Sequence, residues 1–175
     1  MTHHPPDEGR HQSTSAPASF VTPDALLDHW QGHRRLTRRV IEAFPDDRLF
    51  TFSVGSMRPF GVMVLELLAM ALPNLRGVLT DSWQSREGEG GPRTREALLR
   101  RWDDDTDEIE ALWPRIPASR FHEHANAFGQ YEGVVHDLLL YVIDNEIHHR
   151  AQGYVYLRAL GVEPPPFWER NGGDT

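Results

Sequence analysis

Polar side chains that could do chemistry fall on an otherwise apolar helical stripe near the end of the chain. The stripe follows steps of three and four residues and is apolar at both ends but polar in its middle. Burying an amide or an imidazole without a partner costs on the order of 1–3 kcal/mol, so these groups must be satisfied by one another, by water or by a metal ion. The stripe runs through Leu138, Val142, Asn145, His149, Gln152, Tyr156 and Ala159.

A second group that could do chemistry is a single carboxylate in the longest apolar run. Glu66 is the only ionisable residue between Val62 and Leu72, and the helical period directs it inward. An unpaired buried carboxylate normally protonates or acquires a cation. Asn145 and His149, spaced i and i+4, lie on one helix face and can reach one ion. The pattern predicts that Glu66, Asn145 and His149 converge in the core, where they could hold a divalent metal ion.

Two metal-free arrangements of these residues remain open at this point. Glu66 could form an ion pair with Arg150 or with another arginine. Asn145, His149 and Gln152 could form a buried hydrogen-bond network that only fixes the helix register.

Two further acidic patterns resemble metal sites but lack essential parts. Glu146 and His149 have the Glu-x-x-His spacing of di-iron bundles, yet that site needs a second copy on a partner helix, and none occurs. The acidic run at Asp103–Asp105, continued by Asp107 and Glu108, lacks the glycine turn and terminal Glu of a calcium loop. We expect this run to be a solvated helix face.

Four helices must position these groups, and each has start and stop residues. Thr22 and Thr94 can cap the first and third helices, Pro59 lies near the start of the second, and Gly161 ends the fourth. The predicted helices span residues 23–44, 59–72 with a kink at Pro73 and a short continuation, 94–113, and 132–160. The segment 85–93 is predicted to be a loop and 118–130 an irregular stretch. We expect the 85–93 loop or residues 122–130 to shape access to the site.

The helix pattern, without alternating strands, predicts an all-α four-helix bundle with a long C-terminal helix. We expect this bundle to occupy residues 22–169. Residues 1–21, rich in Pro, Ser, Thr and His, are expected to be a disordered leader, and residues 170–175 a flexible tail.

Composition excludes several classes of function. The chain has 175 residues, no cysteine and a net charge of −8. Disulfides, thiolate zinc sites, iron–sulfur clusters and a cysteine nucleophile are therefore excluded. The acidic balance argues against a groove for nucleic acid. The apolar run at Val62–Leu72 is far shorter than the ~20 residues of a membrane span, and no signal peptide is evident. We expect a cytoplasmic protein.

Two motifs resemble the DinB/YfiT-like family of four-helix bundles. The run Asn145–Gln152 (NEIHHRAQ), followed by Tyr156–Pro165, is similar to the family's C-terminal signature, whose usual form is His-x-x-x-His-Arg-Gly-Gln. Arg58-Pro59-Phe60-Gly61 and the apolar run after it resemble the family's second helix, which normally carries a histidine where Glu66 stands. The resemblance covers most of residues 23–169.

The resemblance implies a divalent metal ion (Zn, Ni, Mn or Mg) held by three histidines, one on the second helix and two on the fourth. Carried over by position, the ligands here are Glu66, Asn145 and His149, of which only His149 matches. It also implies a homodimer acting on a small molecule, as a metal-dependent hydrolase or a thiol S-transferase that uses bacillithiol or mycothiol. The alternative is a non-catalytic binding or stress-response protein with a structural polar core and no metal.

Overall fold

The protein is a bundle of four helices with one small hairpin, as seen in a computed structural model that describes residues 20–85 and 90–170. The elements are α1 (Pro23–Ala43), α2 (Phe60–Thr80), α3 (Arg95–Leu112), 3-10 turns at Trp113–Arg115 and Ala118–His122, β1 (His124–Ala127), β2 (Tyr131–Val134) and α4 (Val135–Ala159). Helices α1 and α2 each pack against both α3 and α4, so α4 lies between α1 and α2. The all-α bundle expected from the sequence is confirmed.

The predicted helix caps are largely present. The Thr22 hydroxyl accepts a hydrogen bond from the Ala25 amide at 3.2 Å, and the Thr94 hydroxyl accepts one from the Ala97 amide at 3.3 Å. Gly161 follows α4 with a φ of +74°, a left-handed conformation that glycine adopts without strain. At α2, Pro59 is the N-cap residue and makes no side-chain cap, because proline can only set the backbone direction there.

Helix α2 is longer than its apolar run suggests, because it continues through Pro73 to Thr80. Proline in a helix removes one backbone hydrogen bond, which buried packing on both sides of Pro73 offsets here. By length and composition α2 could cross a membrane, with a mean hydropathy of 1.6, yet 61% of its most apolar window is buried inside the bundle. Helix α2 is therefore a core helix of the bundle.

The β-hairpin corrects the prediction that 118–130 is irregular and that the fourth helix begins at residue 132. β1 and β2 pair antiparallel, with His124 opposite Val134 and Ala127 opposite Tyr131. The turn between them contains two residues with positive φ, Phe128 at +57° and Gly129 at +69°. These strands contain few β-branched residues, so their sequence gave no clear strand signal.

The predicted leader and tail fall mostly outside the described residues. Of residues 1–21, only Phe20 and Val21 are described, and both are exposed. Of residues 170–175, only Arg170 is described, and its side chain contacts α1.

A polar layer crosses the middle of the bundle and separates two apolar clusters. One cluster, around Trp30, Leu72 and Leu139, fills the end near the hairpin, and the other, around Phe60 and Trp102, fills the opposite end. The layer between them consists of buried side chains, each less than 9% exposed. Its members are His33, Arg34, Thr37, Asp105, Glu146, His149 and Arg150.

Glu146 is the centre of this polar layer. Its carboxylate accepts hydrogen bonds from the Thr37 hydroxyl at 2.6 Å and from the Trp30 indole N–H at 3.3 Å. The guanidinium groups of Arg34 and Arg150 lie 4.0 and 3.9 Å from it. Burial raises the pKa of Glu146, and the two arginines offset only part of that rise. The bundle therefore contains a fully buried ionic group that links α4 to α1.

Asp105 departs from the expected solvated acidic face, because it is only 3% exposed. It lies three residues after Trp102 and four before Ile109, on the apolar stripe of α3, so the helical period carries it inward. The Arg101 Nε donates to it at 2.6 Å. Asp103, by contrast, is partly exposed and pairs with Arg38, as a solvated residue would.

We predict that Glu146→Ala lowers the free energy of unfolding by about 3–5 kcal/mol, because it leaves two buried guanidinium groups without their counter-charge. Asp103→Ala is the matched control: it removes a half-exposed ion pair and should cost about 1 kcal/mol or less. Urea denaturation of both variants tests this. Equal losses in the two variants would contradict a central role for Glu146.

Candidate functional site

The structure places Glu66 beside His149, as the sequence predicts. The Glu66 Oε1 atom lies 3.2 Å from the His149 Nε2 atom, across the contact between α2 and α4. The His149 side chain is 7% exposed, whereas that of Glu66 is 33% exposed. The pair thus lies at the edge of the polar layer, with the imidazole inside and the carboxylate open to solvent.

Arg58 is the second partner of Glu66. Its Nη1 atom lies 2.5 Å from the Glu66 Oε2 atom, and half of its side chain is exposed. The Arg58 backbone carbonyl accepts a hydrogen bond at 3.1 Å from the hydroxyl of Tyr156, a fully buried residue of α4. Both carboxylate oxygens of Glu66 are therefore occupied by groups of the chain itself.

Asn145 does not join this cluster. Its side-chain amide donates to the sulfur of Met70 at 3.0 Å, one helical turn further along α2 from Glu66. Gln152 also turns away and lies 2.7 Å from the exposed His148. The predicted polar stripe therefore splits, and only His149 reaches the carboxylate.

The charges of the pair follow from their surroundings. Burial raises the pKa of Glu66, but the hydrogen bonds from Arg58 and His149 outweigh it, so the net pKa is lowered. Burial lowers the pKa of His149, and the nearby Glu66 carboxylate offsets only part of this. At neutral pH the site therefore holds a carboxylate, a guanidinium and a neutral imidazole that donates its Nε2 proton to Glu66.

Comparison with known proteins decides the family. The model of the DinB family matches residues 18–171, nearly the whole chain. The chain belongs to the DinB family. A search of curated proteins finds no match.

Solved structures of DinB-like proteins have the same fold. A DinB-like protein from Bacillus subtilis is 18% identical, with a TM-score of 0.69, and the match covers 83% of this chain and 98% of that one. A DinB-like protein from Bacillus cereus is 17% identical, with a TM-score of 0.69 and coverage of 85% and 99%. At such identities the likeness concerns the fold alone.

The distance between Glu66 Oε1 and His149 Nε2 is compatible with a metal ion bound to both atoms. Two donors on one ion with bonds of about 2.1 Å enclose an angle of about 100° when the donors are 3.2 Å apart, a value between octahedral and tetrahedral geometry. Glu66 Oε1 and His149 Nε2 are therefore spaced as two ligands of one ion could be.

The other observations do not fit the metal ion that the family resemblance implies. A guanidinium and a divalent ion sharing one carboxylate, about 5 Å apart, repel by roughly 5–7 kcal/mol at an effective dielectric constant of about 20. A metal on Nε2 would force the proton onto His149 Nδ1, which is buried without a hydrogen-bond partner. Across residues 20–85 and 90–170, no three His, Asp or Glu side chains are grouped so that they could hold an ion. The residues present therefore do not fit a resident metal.

Sequence reasoning named Arg58 and Glu146 as parts of motifs but missed their roles, Arg58 as the partner of Glu66 and Glu146 as the centre of the polar layer. Arg58 lies in a loop, where no periodicity indicates which way a side chain turns, although an unnamed arginine was one expected partner of Glu66. Arg150, the arginine named for that role, faces α1 instead and donates to the His33 carbonyl and the Thr37 hydroxyl. Glu146 had a detectable signal, since it lies three residues before His149 and so near the same side of α4.

The two segments expected to shape access differ in their distance from the site, and a third loop lies beside it. The exposed loop before α2, which carries Arg58, forms one side of it. Gly91, at the described end of the 85–93 segment, is so close to Leu65 that an added Cβ would lie 2.5 Å from its side chain. The 122–130 segment forms the hairpin before α4, and His149 lies about 20 Å along that helix from its first turn.

We predict that Arg58→Gln raises the pKa of Glu66, because the neutral amide no longer stabilises the carboxylate. Carboxyl-carbon NMR of Glu66 measures this directly. Arg48→Gln, which breaks an exposed pair with Asp47 in the same loop, is the control and should leave Glu66 unchanged.

The sign of the pH dependence follows from the lowered pKa of Glu66. Its ionic contacts stabilise the fold fully above the unfolded-state value of 4.5, and this contribution is lost as the pH falls below it. A Glu66 pKa that Arg58→Gln leaves in place would show that Arg58 is not its main partner.

Proposed function

We propose that this DinB-family protein works without a resident metal ion, as a non-catalytic binding protein for a small polar molecule. The observation that carries the proposal is that Arg58 and His149 occupy both oxygens of Glu66. The site is thereby neutralised by the chain's own guanidinium. It lacks the unmatched negative charge that draws a divalent ion to a protein.

The surface around Arg58 and Glu66 supports the binding of a small molecule. The guanidinium is half exposed and can donate a hydrogen bond to a ligand, and the carboxylate is one-third exposed and can accept one. Val54 and Met57 in the same loop are 37% and 40% exposed and would supply apolar contact. A ligand with both a charged and an apolar part suits this combination.

A second candidate function is favoured by the spacing of Glu66 Oε1 and His149 Nε2. In this case the protein is a divalent-metal-dependent hydrolase or thiol S-transferase, in which Glu66, Asn145 and His149 hold the ion. The ion would supply a Lewis acid for a thiol or for water. Asn145 would first have to turn its amide oxygen away from Met70.

Assembly and location are further parts of the proposal. Exposed apolar residues on the outer side of α4, Leu140, Tyr141 and Val155, support a homodimer. The cytoplasmic location remains a prediction. The acidic charge of the chain still argues against nucleic acid as a partner.

Metal analysis separates the two candidates. We expect protein purified without a metal-affinity step, incubated with Zn, Ni, Mn or Mg and then desalted, to hold far less than one ion per chain. Glu66→His/Asn145→His, which rebuilds the three-histidine set of the family, is the matched control and should bind about one zinc or nickel ion. One ion per wild-type chain, lost in Glu66→Ala/His149→Ala, would instead establish the metal-dependent enzyme.

Stability of Glu66→Leu gives an independent test. In the metal-free site, Glu66→Leu should lower the free energy of unfolding by about 1–2 kcal/mol: half-exposed Arg58 can return to water, and only the buried His149 N–H loses its acceptor. We also expect a chelator to leave the wild-type melting temperature unchanged. A clear loss of stability on chelation, matched by Glu66→Leu, would support a bound cation.

A further inference from the structure

The chain beyond α4 returns along α1 and is held there by side chains of that helix. We call residues 162–170 the strap. It begins after Gly161, where the Val162 amide donates to the Leu157 carbonyl at 2.9 Å. At its far end Arg35 donates to the Arg170 carbonyl at 3.1 Å. Arg39 donates to the Glu169 carbonyl and lies 3.8 Å from its carboxylate.

The side chain of Arg170, the last residue of the strap, lies beside two histidines of α1. The Arg170 Nη1 atom lies 3.3 Å from His29 Nδ1 and 3.3 Å from His33 Nε2. The two imidazoles, spaced i and i+4, lie 3.2 Å apart through their Nε2 atoms. A Cβ added to Gly32, between them in sequence, would lie 3.3 Å from Arg170 Cβ, so the strap is in close contact with the helix.

The positions of the protons in this cluster follow from Arg150. Its guanidinium can only donate, and it lies 2.9 Å from His33 Nδ1, so that nitrogen bears the lone pair. Neutral His33 therefore carries its proton on Nε2, which faces His29. Neutral His29 has one lone pair: on Nδ1 it accepts from the Arg170 guanidinium, and on Nε2 it accepts from the His33 Nε2–H group.

We propose that the strap is an acid-released latch: when His29 takes up a proton it loses its only lone pair, and Arg170 leaves α1. Protonation also places a second cation beside Arg170, and their mutual repulsion favours release. The groups that face His29 are His33 on its own helix, Arg170 on the strap and Asp144 on α4. Asp144 is the only one of these that favours the proton. Release uncovers the side of α1 that carries His33, Arg35 and Arg39.

The direction of the pH effect supports the latch. Burial lowers the pKa of His29, and Arg170 lowers it further, so the docked strap disfavours the proton. His33, whose pKa burial and Arg150 lower to about 3, stays neutral throughout. By linkage, the strap is most tightly docked above pH 6.5, the ordinary histidine value, and is released increasingly as the pH falls below it.

Hydrogen–deuterium exchange of the full chain tests the latch. Between pH 7.5 and 5, we expect the protection factors of strap amides, corrected for intrinsic exchange, to fall by up to tenfold per pH unit below about 6.5. Protection of α2 amides should stay unchanged over this range. His29→Gln should keep the strap protected at every pH, while His124→Gln, at an exposed histidine of β1, should behave as wild type.

A second variant keeps the test decisive. Arg170→Gln removes the cation that His29 repels, so strap protection should become independent of pH even if it is weaker overall. Wild-type strap protection that stays constant from pH 7.5 to 5 would overturn the proposal. An equal fall in wild type and in His29→Gln would overturn it as well.

Discussion

The bundle depends on the hydrogen bonds and ion pairs of one carboxylate that is buried away from water. Glu146 is 2% exposed and lies between two guanidinium groups, a hydroxyl and an indole N–H. Desolvating such charges costs several kcal/mol per ion, which their attraction repays only in good geometry. Any shift of α4 along α1 by one turn would separate Glu146 from the hydroxyl and the indole of α1 and from the Arg34 guanidinium. The polar layer therefore sets the register of the helices, while the apolar clusters on either side supply most of the burial.

The position of α4 between α1 and α2 explains why its polar residues serve two different purposes. Successive residues on a helix are about 100° apart, so His149 and Arg150 must face different neighbours. His149 meets Glu66 of α2 at the solvent edge, and Arg150 meets His33 and Thr37 of α1 inside the bundle. A motif that forms one signature along the chain is thus divided in space between a cluster at the solvent edge and a buried ionic group.

Sequence periodicity predicted the helices, whose apolar residues recur every three or four positions. It missed the loop contact of Glu66 and the hairpin, which have no such repeat. The four helices, the caps at Thr22 and Thr94 and the approach of Glu66 to His149 follow from steps of three and four residues and from cap chemistry. The partner of Glu66 came from a loop, where the direction of the Arg58 side chain depends on tertiary contacts such as the Tyr156 hydroxyl. The hairpin was missed because each strand has only four residues and because β1 consists of histidine, alanine and asparagine, which indicate no particular structure. Asp105 was misplaced because a run of acids suggests solvent, although its position on the α3 stripe predicted burial.

Compared with the three histidines that the family resemblance implies, Glu66 changes the electrostatics of the site by adding a negative charge. Three neutral imidazoles carry no charge, so an ion bound to them need not compete with any cation of the protein. A carboxylate at the same position attracts the nearest cation. Here that cation is Arg58, which belongs to the same chain and is therefore present at high effective concentration. The guanidinium offers two or more directed hydrogen bonds and cannot lose its charge at physiological pH. Once glutamate stands at position 66, a neighbouring arginine can fill the role of the ion, and the loop that carries it becomes part of the site.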